Sequence, residues 1–420
     1  MPRILRIRRV ALLLGLLGLL AGLFNPAYSQ NTTSIALEDA LHQGRLHWLL
    51  LQSDSLRRQA RSLELRGGPL PDPATIQGEW GQLNSSLRDQ AVQINQTLRL
   101  PVYHRRSRDL AKTRLEGARL EQTRTLAELE SGIIRLYHRY LVEWARCQLY
   151  QEYDSILAVT AKTIEQRYQQ GQVSAADRNQ LLLIRGESSL QWAQHRNELE
   201  QTARDFEFWT GGNWLPNPAQ ADLRWKPASP DLLDSLTHPE VLRLHNQWLE
   251  AKAMSRLTQA QRLPGLSLGL RNMSIQGLGP DGHFYPLSRR FNTLQAGISL
   301  PLRGKPWRLQ AEADRHLAEA AALQYRHGRA VAANERTRDQ ERMRLLLEQW
   351  DYSNQSLLPL AQALRNQAES QLAQGDLDLL SWTTHLERIL WTQSRHLDLT
   401  EQLNEATIQW HYPNANNQPR

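Results

Sequence analysis

Thirteen histidines, one cysteine and 43 carboxylates are the residues that could ligate a metal or move protons. Ligation from one helix face needs partners three or four positions apart. The nearest histidine pairs, His42 with His47 and His238 with His245, are five and seven apart. No nucleophile, base and orienting acid recur in a known catalytic pattern, so neither a catalytic residue nor a metal or cofactor site is expected, and the protein is not expected to be an enzyme. Cys147 alone excludes an intramolecular disulfide and a cysteine-rich metal site.

Charge also narrows the function. The first 29 residues read as a secretory signal peptide: Arg3, Arg6, Arg8 and Arg9, an apolar run from Val10 to Leu23, then Ala27-Tyr28-Ser29. Without its four arginines the net charge falls from +7 to +3, with both signs interleaved. That is no nucleic-acid footprint, and no nucleic acid is expected as a partner. After the leader no apolar run reaches the length of a membrane helix. Any membrane insertion must use strands.

The elements that remain are organised twice. A first repeat, 30–212, and a second, 231–411, are joined by a segment at 213–230 containing prolines and tryptophans, and are followed by a tail at 412–420. IALEDAL faces DLLDSLTHPEV, QTLRLP faces GISLPL, and YQQGQVSAAD faces LAQGDLDLLS. The offsets are about 195, 200 and 204 residues, as an old duplication leaves them. Each half is expected to run helix, strand, strand, very long helix, glycine break, helix.

The predicted strands, near 74–82, 91–100, 265–275 and 291–300, alternate apolar and polar residues. Val92, Ile94, Leu98 and Leu100 oppose Gln93, Asn95, Thr97 and Arg99; Leu294, Ala296, Ile298 and Leu300 oppose Thr293, Gln295, Gly297 and Ser299. Strands of about ten residues with one apolar face suit a membrane β-barrel, although a half-buried soluble sheet has the same period. Four strands cannot close a barrel, since the smallest have about eight. Either the sheet packs on a core or several chains share one barrel.

The helices predicted at 102–170 and 307–374 are each about 100 Å long at 1.5 Å per residue. In each half the two flanking helices, 34–63 with 172–210 and 231–262 with 376–410, sum to nearly the same length. Stacked end to end, they would match the long helix twice. Gly171 and Gly375 mark hairpin tips, with Ser174 and Asp177 as cap and first-turn acid of the returning helix.

These landmarks resemble the TolC family of outer-membrane efflux proteins. The likeness spans nearly the whole mature chain. Tyr168, Gly171, Ser174 and Asp177 match the family's tip motif, whereas the second tip has Leu372 in place of the tyrosine and Asp378 in place of the serine. GPLPDPATIQGEWGQLNSS, INQTLRLPVYHRR and LPGLSLGLRNMSIQG followed by RFNTLQAGISLPL are most similar to the CusC/CzcC-like heavy-metal branch. The chain departs from many of its members in having no cysteine after the leader for a lipid anchor.

The resemblance implies a mainly α fold with a membrane β-barrel: long coiled-coil hairpins, four strands per chain, and a homotrimer sharing a twelve-stranded barrel and an α-helical tunnel. It implies an exit duct in the cell outer membrane of a Gram-negative bacterium, in contact with outer-membrane lipid, its helices reaching into the periplasm. Its partners would be a periplasmic adaptor (membrane fusion protein) and an inner-membrane pump of the RND type, with heavy-metal cations as cargo. Multidrug efflux or type I secretion through the same architecture is the alternative, and a secreted coiled-coil scaffold is the reading from another class. Gly171, Val173, Ser174, Gly375 and Leu377 would dock the adaptor. Asp376 and Asp378 would ring the pore entrance, unless they are only acids favoured at a helix N-terminus.

Overall fold

The computed structural model describes residues 33–83, 86–227, 238–300, 304–374 and 377–413. The expected signal peptide, Gly375, Asp376 and most of the tail lie outside the described residues.

Strand β1 (Thr33–Ile35) leads into helices α1 (Leu37–His47) and α2 (Leu49–Gly67), then β2 (Thr75–Gly81), β3 (Asp89–Leu98), α3 (Pro101–Gln169), α4 (Ala175–Thr210) and β4 (Trp214–Pro216). The second half comprises α5 (Pro239–Ala260), β5 (Gly265–Ser274), β6 (Gly277–Leu278), β7 (Phe284–Tyr285), β8 (Arg290–Ser299), α6 (Lys305–Tyr352), a π-helical turn (Ser353–Leu357), α7 (Leu358–Gln374) and α8 (Leu379–His411). No described helix is long and apolar enough to cross a membrane.

Helix α3 has 69 residues and begins at Pro101, whose fixed φ and missing N–H suit the first helical position. Its neighbours are stacked end to end along it. Asp54 accepts from the Thr125 hydroxyl at 2.6 Å and Arg45 pairs with Glu130, whereas further on His195 meets Glu143, Ser189 meets Asp154 and Arg178 meets Glu165. So α1–α2 covers the strand-side part of α3 and α4 covers the rest. They meet where Gly44 and Gly132 leave room: a Cβ on Gly132 would stand 2.0 Å from the Trp209 ring, and one on Gly44 2.3 Å from Ile133. Parallel pairing of β1 with β4 closes the joint.

Two departures from the expected helices have physical causes. The helix expected over 34–63 breaks at Trp48 (φ −71°, ψ 105°), whose ring stacks on Trp209 with centroids 4.8 Å apart. The helix expected over 307–374 widens into the π turn at Ser353–Leu357, where buried Ser353 lies 3.1 Å from His396 Nδ1.

The core is a series of clusters along the bundle. Ile35, Ala40, Leu129, Ile133, Tyr137, Leu141 and Phe206 form one at its middle. Toward the tips, Tyr153, Leu157, Ile164 and Leu181 of the first hairpin pack against Ala361, Ala368, Trp382, Leu386 and Ile389 of the second. The connecting segment crosses this bundle: Trp225 is buried beside Ile134 and Ile408, with its N–H bonded to Asn404 Oδ1 at 2.8 Å.

Candidate channel wall and helical tips

The four long strands form one antiparallel sheet in the order β2-β3-β5-β8, leaving an edge of β2 and an edge of β8 unpaired among the described residues. Register puts Ile76, Ile94, Leu270 and Leu294 in one row across all four strands. These four are 71%, 46%, 48% and 86% exposed. The apolar face is uncovered. Leu98, Leu266 and Ile298 make a parallel row, also exposed. Gln96 falls between these rows, and its amide donates to the Asp72 carbonyl at 2.6 Å.

The opposite face is polar and internally bonded. Gln93 Nε2 donates to Gln295 Oε1 at 2.6 Å and to Asn95 Oδ1 at 2.9 Å, and Arg271 pairs with Glu79 at 2.7 Å. Of the aromatics that end the strands, Trp80 is 72% exposed on the apolar side, whereas Phe291 lies on the same face as Thr293 and packs edge-on to Tyr285. Asp89, fully buried, anchors the loop end by accepting from Ser274 Oγ and the Gln276 N–H.

At the far end of α3 the chain reverses through Gly171 in the left-handed region (φ 73°). Gly171 N–H bonds the Tyr168 carbonyl and Gln172 N–H the Arg167 carbonyl, both at 2.9 Å, the Schellman arrangement that uses up the last carbonyls of a helix. Ser174 caps α4: its Oγ accepts from the Asp177 N–H at 3.2 Å and donates to Asp177 Oδ2 at 2.8 Å. Tyr168 lies under the guanidinium of Arg178, which pairs with Glu165 at 2.6 Å and holds that carboxylate below its ordinary range. Arg178 and Glu165 escape sequence reading because they come together only across the hairpin.

The second tip makes the same cap with the residue types exchanged. Asp378 accepts from the Ser381 N–H at 2.9 Å and from the Ser381 hydroxyl at 2.5 Å. S-x-x-D at the first tip has become D-x-x-S at the second. Val173 and Leu377 are half-buried, each packed against the tip-side core cluster, so their apolar character already has an internal use. Gly171 and Ser174 are exposed, and a Cβ on Gly171 would meet nothing within 4 Å. Asp378 is exposed as well.

Between wall and tips lies a buried ionic group. Glu143 on α3 bonds Arg146 through one oxygen and His195 Nδ1, at 3.1 Å, through the other. Arg146 also reaches Asp398 at 2.9 Å and Glu401 at 2.8 Å on α8. These partners hold the Glu143 carboxyl below, and the Arg146 guanidinium above, their ordinary ranges against the opposing effect of burial. Sequence reading missed this group because it compared histidines only with histidines; His195 and Glu198 stand at the ligand spacing of three.

No protein-family model and no curated protein matches the sequence. Solved structures do. The chain superposes on CusC, described in terms of folding and transmembrane channel formation (TM-score 0.72, 15% identity, 92% of this chain and 94% of that one). It also superposes on the outer membrane protein VceC of Vibrio cholerae (0.71, 14%, 90% and 95%) and the outer membrane channel CmeC of Campylobacter jejuni (0.71, 11%, 92% and 89%). At such identities the likeness is one of fold.

Proposed function

We propose that the chain is one subunit of a homotrimeric outer-membrane channel, the passive exit duct of a tripartite efflux system. The observation that carries this reading is a four-stranded sheet with an exposed apolar face, a bonded polar face and two unpaired edges, set at one end of a helix about 100 Å long. Unpaired edges and an uncovered apolar face are both costly in water. Three copies pairing β8 of one with β2 of the next would make twelve strands, with lipid outside and water inside.

The remaining assignments follow from that frame. The domain division is two repeats, 30–212 and 231–411, behind a cleaved leader. The exposed first tip, with Gly171 and Ser174, would meet the periplasmic adaptor, flanked by Val173 and, from the second tip, Gly375 and Leu377. Asp376 and Asp378 would form an acidic ring around the entrance, Asp378 serving also as the cap of α8 through Ser381. Heavy-metal cations are the proposed cargo, on the resemblance of the strand-bearing segments to the CusC/CzcC-like branch.

The purified protein added to a planar lipid bilayer should give discrete conductance steps. Absence of conductance from protein that remains helical would contradict the reading.

A further inference from the structure

Glu143 of α3 with His195 and Glu198 of α4 brings together three ligand atoms that all lie within 4.8 Å of one another. His195 Nδ1 is 3.1 Å from Glu143 Oε2 and 3.5 Å from Glu198 Oε2. Two ligands about 2.1 Å from a tetrahedral ion stand about 3.4 Å apart. We propose that these three residues bind one divalent transition-metal ion of the zinc type, which ties α3 to α4 midway along the hairpin.

The surroundings are those of a prepared site. Arg146 occupies the other oxygen of Glu143, leaving that side chain one oxygen to offer. Tyr150 stacks on the His195 ring with centroids 5.1 Å apart and so fixes its plane. Such outer contacts orient metal ligands. Asp398 and Glu401 of α8 hold Arg146 from its other side. An open cavity of about 680 Å³ is lined by Tyr150, which stacks on His195, and by Asp398, which pairs with Arg146.

One imidazole nitrogen and two carboxylates suit Zn²⁺, Co²⁺ or Mn²⁺ rather than soft Cu(I), which wants sulfur. Cys147 does not supply it, since its Sγ is not among the ligand atoms brought together there.

The inference is independent of the duct reading. It is tested on the full detergent-solubilised protein, stripped of metal and titrated calorimetrically with Zn²⁺, with Co²⁺ absorption as a spectroscopic check. One ion per chain at micromolar affinity is expected, weakened at least 30-fold in His195→Asn and in Glu198→Gln, both with unchanged elution volume and helical signal. These variants are chosen because neutralising Glu143 would leave Arg146 buried without its nearest partner. Millimolar or absent binding to the unaltered protein, or full binding by both variants, overturns the site and leaves an ion-pair group in its place.

Discussion

The two long helices each follow a pair of long strands, yet their surroundings differ. Helix α3 packs against α1, α2, α4, α5 and α8, and buries residues from Leu110 to Ile164, 19 in all. Helix α6 packs against α5 and α8 and buries only Asp314, Ala332 and Leu346. Its apolar residues are exposed instead: Leu309, Leu317, Leu323, Val331, Leu345 and Tyr352. At 100° per residue these six fall within a sector of about 120°, which is a stripe and not a scatter. Helix α3 is packed mostly within the chain. Helix α6 presents a face that the proposed neighbouring subunit would cover.

Four changes separate these roles. Leu141 is fully buried against α3's neighbours, so Leu141→Asp should cost more than about 5 kcal/mol, enough to remove most folded protein. Loss of the cooperative urea transition would register this. Leu317→Glu with Leu323→Glu removes two half-exposed leucines from the stripe, about 1.5–3 kcal/mol each if a neighbour buries them. Sedimentation should show subunits apart while circular dichroism stays helical; unchanged assembly would mean that the stripe faces solvent.

A third test uses His138, buried on α3. Burial lowers its imidazole from 6.5 to about 4. Between those values the unfolded chain binds the extra proton, so stability is full above about pH 6.5 and is lost as pH falls toward 4, by on the order of 3 kcal/mol. His138→Phe should flatten that part of the pH profile of the urea midpoint. The smallest effect belongs to the caps. Ser174→Ala or Asp378→Ala should each cost about 1 kcal/mol, whereas exchanging the pair at either tip, Ser174→Asp with Asp177→Ser or Asp378→Ser with Ser381→Asp, should cost little. Export that fails in the first exchange but survives in the second would assign docking to the first tip.

Local signals carried much of this architecture. Period-two alternation marked the β2, β3, β5 and β8 segments, and Gly171 with Ser174 marked a helix stop and start, because each depends on residues a few positions apart. What escaped depends on distant residues. Trp48 leaves its helix for Trp209, the π turn at Ser353 answers His396, and Arg146 joins Asp398 and Glu401 across about 250 positions. The exchanged cap at Asp378 was visible letter by letter, but its equivalence to Ser174 needed the hydrogen bonds.

The central claim is that this chain is one third of a closed wall. Native mass measurement of the detergent-solubilised protein tests it most directly. A species of three chains is predicted, with the monomer appearing only when the α6 stripe carries Leu317→Glu and Leu323→Glu; a stable monomer of the unaltered protein, soluble without detergent, would contradict it.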